Sequence, residues 1–130
     1  MSYGNNELIV ITKAKDLCSY IMVVTQKSPK HFRYTFVSRL QNLALSIVEN
    51  LYRANYERLI LEHSKEKNLR LKYQKDAFID LKLLGYISLL AMEQQCILPK
   101  QYKQISLKLT ECLSVLAGWI KSDKKRLGIA

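Results

Sequence analysis

Three observations predict that this 130-residue chain is all-α, an antiparallel up-down-up-down four-helix bundle. Apolar residues recur three and four positions apart in four segments, and no run alternates with period two. Only four Gly and two Pro occur, which leaves few places for tight turns and favours long helices. The connections between segments are short, so successive helices pack antiparallel. A chain of this length fits one domain, residues 1–130, and buries a core without disulfide or metal staples.

Helix one is predicted from Glu7 to Gln26, where Val10, Ala14, Leu17, Cys18, Ile21 and Val24 share a face opposite Thr12, Lys15, Asp16 and Ser19. "KSPKHF" interrupts it, because Pro29 restricts Ser28 to extended conformations and cannot continue the hydrogen-bond ladder. Helix two begins near Tyr34 and runs past Ala54, with Phe36, Leu40, Leu43, Ile47, Leu51 and Ala54 on one stripe. Leu45 and Tyr52 widen that stripe to about 200° of arc, more than one neighbouring core requires. A turn falls between residues 56 and 66, and helix three then runs to about Gln95 on a stripe of Tyr73, Ala77, Leu84, Ile87 and Ala91. "ILPKQY" ends it and puts Pro99 in the first turn of helix four. There Tyr102, Ile105, Leu109, Cys112, Leu113, Leu116 and Ile120 repeat on one face.

Between Phe78 and Met92 helix three is apolar nearly all round, which a helix lying on a bundle surface is not. Phe78 and Leu89 are placed on its far side, as Leu45 and Tyr52 are on helix two. Apolar area exposed on both helices marks an association site, and a homo-oligomer is the simplest occupant.

Lys plus Arg number 21 against 11 acidic residues, a net charge of +10 that suits a partner bearing phosphates. The bundle topology gathers Arg53, Arg58, Lys65, Lys67, Arg70, Lys72, Lys75, Lys121, Lys124, Lys125 and Arg126 at one pole. Against them stand Glu7, Glu57, Glu62, Glu66 and Asp123, so eleven minus five leaves +6 there. Lys65, Lys72, Lys75 and Lys82 also fall within about 100° of one another on helix three. Candidate phosphate contacts are therefore Lys65, Arg70, Lys72, Lys75, Lys82, Lys121, Lys124, Lys125 and Arg126. The competing reading of such a stripe is a solvated face.

No residue pattern points to catalysis, a cofactor or a metal. His31 and His63 fall in loops at opposite poles. Asp76 and Asp80 are one turn apart, as are Glu62 and Glu66, but the E-x-x-H that completes a carboxylate metal site in bundles is absent. Asp76 is expected to pair with Lys72, and Asp80, nearer the core, with an internal Arg or Tyr. Gly4, Gly85, Gly118 and Gly128 are isolated, so no phosphate cradle exists. Tyr52, Tyr56 and Tyr73 are able to stack on unpaired bases, although helix packing is the commoner use. Cys18, Cys96 and Cys112 lie far apart in helical patterns, which predicts a reduced, cytoplasmic protein. The most apolar run, "LLGYISLLAM", is far shorter than the roughly 18 to 20 residues that span a bilayer, so no membrane association is expected.

The ordered set Lys27-x-Pro29-x-x-x-Arg33-x-Thr35-x-x-x-Arg39-Leu40-x-Asn42-x-Ala44-Leu45-x-x-x-Glu49, closing with Ala54-Asn55-Tyr56-Glu57, resembles the accessory variability determinant proteins of diversity-generating retroelements. "AGWIKS" is similar to their last-helix ending, and the match covers nearly the whole chain. The resemblance implies a small basic bundle that forms a pentameric barrel, binds a reverse transcriptase and its template RNA or RNA/cDNA hybrid, and supports mutagenic copying without being an enzyme. It also implies that Arg39, Asn42 and Glu49 help hold protomers together, beside Leu45, Tyr52, Phe78 and Leu89. Four-helix proteins encoded by intervening sequences in bacterial ribosomal RNA genes share that fold, but usually carry paired arginines where this chain has Gln41 and Asn42. The alternative they represent is a structural oligomer with no nucleic-acid role.

Overall fold

The computed structural model describes residues 3–57 and 68–128. Four α-helices occupy them: α1, Tyr3–Thr25; α2, Ser38–Tyr56; α3, Leu69–Glu93; and α4, Pro99–Arg126. No strand occurs among the described residues. Most of the expected turn between residues 56 and 66 lies outside them.

Helix α1 starts four residues before Glu7 and stops at Thr25, whose buried hydroxyl donates to the Ile21 carbonyl at 2.7 Å and accepts from Gln41 Nε2 of α2 at 2.9 Å. Pro29 then takes an extended conformation (φ −56°, ψ 140°), followed by a 3₁₀ turn over Lys30–Phe32 and a π-helical turn over Arg33–Val37 that leads into α2. The α-helix thus starts at Ser38, four residues after the expected Tyr34, which lies in the π-helical turn before it.

Helix α3 ends in a Schellman motif, with the Cys96 N–H bonded to the Ala91 carbonyl (2.8 Å) and the Gln95 N–H to the Met92 carbonyl (3.0 Å). Gln95 occupies the left-handed position (φ 66°) that usually falls to glycine. Pro99 opens α4, where its missing N–H removes nothing, and the Gln101 side chain accepts from the Leu98 N–H at 2.8 Å.

Side-chain bonds fix the antiparallel registers. Lys13 meets Glu111 (3.6 Å) and Asp16 meets Lys108 (2.8 Å) across α1 and α4. Arg70 near the start of α3 meets Asp123 near the end of α4, while a Cβ on Gly85 would touch Leu109 further along. Each helix therefore flanks two others, in the ring order α1, α2, α3, α4, and the most extensive contact is α2 against α3.

The core contains the whole predicted stripe of α1 and Leu40, Leu43, Ile47, Leu51 and Ala54 of α2. On α3 the buried line is Arg70, Gln74, Ala77, Leu81, Leu84, Ser88 and Ala91. That line is rotated by about 50° from the expected stripe, leaving Tyr73 and Ile87 half-buried at its edge. On α4, Trp119 and Asp123 join Ile105, Leu109, Cys112 and Leu116 inside, while Tyr102, Leu113 and Ile120 pack on the core's flank.

Candidate nucleic-acid interface

The pole where α3 begins and α4 ends is organised around a buried ion pair. Asp123, 1% exposed, accepts from Arg70 Nε at 2.7 Å on Oδ2 and from a terminal Arg70 nitrogen at 3.2 Å on Oδ1. Gln74 Nε2 donates to Oδ2 at 2.8 Å, and Arg126 approaches Oδ1 from the surface at 3.4 Å. The Arg70 guanidinium lies 5.1 Å from the centroid of the buried Trp119 ring. A fork-to-fork pair of this kind closes the bundle end.

This arrangement corrects the placement of Arg70 among the phosphate contacts. Arg70 is 5% exposed and spent on Asp123, so it is not available to an external phosphate. Asp123 belongs to the interior and not to the surface charge. Asp80 is corrected as well: its partners are neither Arg nor Tyr but Ser46 Oγ (2.8 Å) and Asn50 Nδ2 (3.3 Å) of α2. The opposite-helix polar edge of α2 is thus a hydrogen-bonding seam to α3.

The other cations remain on the surface. Lys72, Lys75 and Lys82 are exposed on α3, and Lys121, Lys125 and Arg126 on α4, with Lys124 half-buried. The register set by Arg70 and Asp123 puts Lys72 and Lys75 at the level of the α4 cluster. Lys72 pairs with Asp76 at 3.0 Å, as expected, and lies 5.5 Å from the Tyr73 ring centroid; Lys82 lies 5.8 Å from that of Phe78. Both ammonium groups thus lie within cation–π range of a ring on their own helix. Lys65 lies outside the described residues, as does His63. His31 is exposed.

Of the expected association residues, Leu45 and Tyr52 are exposed on α2, together with Arg39, Asn42 and Glu49. Asn42 Nδ2 reaches Ser38 Oγ at 3.3 Å. Phe78 and Leu89 are only half-buried flank residues, with Phe78 packed on the core. Rotation of the core line turns Ile79 (52% exposed), Leu83 and Tyr86 (61% exposed) outward instead. The rotation was legible only if Gln74 and Ser88 were assigned inward despite being polar. Tyr52, Tyr56 and Tyr73 do come together, lining a shallow groove of about 450 Å³ with Glu49, Arg53 and Glu57.

Among the described residues no group of His, Cys, Asp and Glu could hold a metal ion. The three cysteines are free and buried. Burial pushes the Cys112 thiol up to about 12 and raises those of Cys18 and Cys96, the latter opposed by the neighbouring Ser28 hydroxyl. No helix among the described residues is long and apolar enough to cross a membrane.

The fold is similar to the crystal structure of a Bacteroides thetaiotaomicron protein of unknown function from the S23 ribosomal protein family. The TM-score is 0.75, over 89% of this chain and 98% of that one, at 16% identity. That likeness shows the fold. No protein-family model and no curated protein matches the chain.

Proposed function

We propose that this protein is a non-catalytic accessory protein of a diversity-generating retroelement, which self-associates and binds template RNA or an RNA/cDNA hybrid beside a reverse transcriptase. The observation that carries the reading is the outer surface of α3, where apolar and cationic residues are exposed together but sorted. Leu83 lies toward α2, Ile79 and Tyr86 point outward, and Lys75 and Lys82 lie toward α4, about 20–60° beyond, while Lys72 falls between Ile79 and Leu83 but nearer the pole. Association through α2 and the apolar part of α3 leaves Lys75 and Lys82 accessible. Repetition of the surface in an assembly, a pentamer by the sequence resemblance, multiplies phosphate contacts that are individually weak.

The second reading, a structural oligomer of the ribosomal-RNA intervening-sequence type, is favoured by Lys72, whose charge is already met by Asp76 at 3.0 Å. One experiment separates them. Lys72, Lys75 and Lys82 are changed to Gln together, and binding to template RNA is titrated across a salt series, with co-purification of the reverse transcriptase as a parallel readout. The proposal expects the parent's affinity to fall linearly with salt on a logarithmic plot, at about −0.7 per single-strand phosphate met, and the variant's slope to be shallower. Equal slopes in parent and variant favour the structural reading.

A further inference from the structure

The opposite pole carries its own unpartnered charge. Between Asp16 and Glu49 the chain has no acidic residue, yet it holds Lys27, Lys30, Arg33 and Arg39. The first three sit where α1 turns into α2, all exposed. The α3–α4 connection meets this turn, since Cys96 lies beside Ser28, and it adds exposed Lys100 and Lys103 against the single Glu93. None of these five side chains has an ion-pair or hydrogen-bond partner among the described residues, whereas Lys13, Lys72 and Lys108 all do.

The same turn displays aromatic rings. His31 stacks on Phe32 with centroids 4.0 Å apart and planes tilted by 40°, and Phe32 meets Phe36 edge-on at 5.8 Å. Phe32 and Phe36 pack against the core, so His31 is the outermost ring of a supported ladder. Tyr34, 86% exposed, stands three residues further along. His31 and Phe32 lie in the 3₁₀ turn and Tyr34 and Phe36 in the π-helical turn Arg33–Val37, a kind of turn that recurs at functional sites.

We infer that this pole is a second nucleic-acid contact that takes a single-stranded segment, its phosphates meeting Lys27, Lys30 and Arg33 and its bases stacking on His31 and Tyr34. Duplex is disfavoured because its bases are already stacked, and a merely acidic polymer has no use for the rings. The inference extends the nucleic-acid reading above to the other end of the bundle and rests on it.

The test titrates the whole protein with fluorescein-labelled oligouridylate, oligothymidylate and duplex RNA, with polyglutamate and anionic phospholipid vesicles as competitors. Variants are Lys27→Gln/Lys30→Gln/Arg33→Gln, Tyr34→Ala, His31→Ala and the α3 lysine triple, each checked for helicity and Trp119 fluorescence. The first variant is expected to shallow the logarithmic salt slope by about 2 for single strands. Tyr34→Ala and His31→Ala are expected to weaken single-strand binding about 5- to 150-fold for each stacked base and to leave duplex binding unchanged. Oligouridylate and oligothymidylate binding alike support recognition through base faces and phosphates, which the two share. If the turn variants match the parent while the α3 triple weakens, this inference falls and the proposed function stands. If the parent binds no nucleic acid, both fall. Competition by polyglutamate or vesicles equal to that by RNA overturns the stacking role.

Discussion

Replacing Asp123 with Leu removes the acceptor that holds Arg70 and Gln74 at the end of the bundle. Deleting one partner of a buried ion pair costs about 3–5 kcal/mol; here two Arg70 nitrogens lose the carboxylate that accepts from both. Loss of the Gln74 hydrogen bond adds about 1 kcal/mol, while Arg126, mostly solvated at 3.4 Å, adds little. Against a total stability of about 5–15 kcal/mol for a domain this is a large fraction. It corresponds to a melting temperature lower by roughly 10–20 °C. Arg70→Met should cost less, about 2–3 kcal/mol, because Asp123 keeps Gln74 and Arg126 as donors. The decisive variant is Arg70→Met/Asp123→Leu, which removes both charges and should be more stable than Asp123→Leu alone by more than about 1 kcal/mol. The assay is urea denaturation followed by helicity and by Trp119, the chain's one tryptophan, which reports on the ring lying under Arg70. Costs of the two single changes that add within about 0.5 kcal/mol in the double variant would refute the coupling. Because Arg70 is enclosed, the double variant should also keep the parent's salt slope for RNA.

Cys112 carries a pH prediction. Its thiol ionises near 9.0 when unfolded but only at about 12 when buried, so between those values the unfolded chain binds fewer protons and stability falls as pH rises. The slope reaches about 1.4 kcal/mol per pH unit, and Cys112→Ala should flatten it in urea melts at successive alkaline pH values. Gln95→Gly should stabilise the protein by about 0.5–1 kcal/mol by relieving the left-handed backbone at φ 66°, and equal denaturation midpoints would count against that strain. Leu45→Asp or Tyr86→Asp should lower the mass measured by light scattering while leaving helicity intact, and a parent that is already monomeric removes the association argument.

The helices and their order were legible because four apolar periodicities are long and separated by Pro29 and by the Pro99 turn. The α1 stripe was read residue for residue, since every position on it is apolar. Helix α3 was read with the wrong rotation, because hydrophobicity alone discounts Gln74 and Ser88, which are buried beside Leu81 and Leu84. That error put Phe78 and Leu89 outside and concealed Ile79, Leu83 and Tyr86. Arg70 and Asp123 were each read as surface charge, since their contact spans 53 positions and neither residue shows it locally. The basic turn from Lys27 to Arg33 was visible as sequence but not as a surface. Only the ladder from His31 to Phe36 and the meeting of the two connections distinguish it from ordinary loop charge.

Two cationic ends on one bundle have a consequence that neither has alone. Helix α3, with 25 residues, is about 37 Å long, so the two poles are separated by roughly that distance. A strand too short to bridge them meets one pole at a time, and its affinity is that of a single weak site. A strand long enough to reach both gains an intramolecular second contact, with an effective concentration set by the intervening chain. Affinity should therefore rise abruptly with oligonucleotide length and then level off, in place of the gradual increase that follows from counting overlapping sites on one patch. Either the α3 lysine triple or the Lys27/Lys30/Arg33 triple should abolish the rise, because bridging requires both ends. A smooth length dependence that survives both sets of changes would mean that the poles act independently and that the strand follows another path.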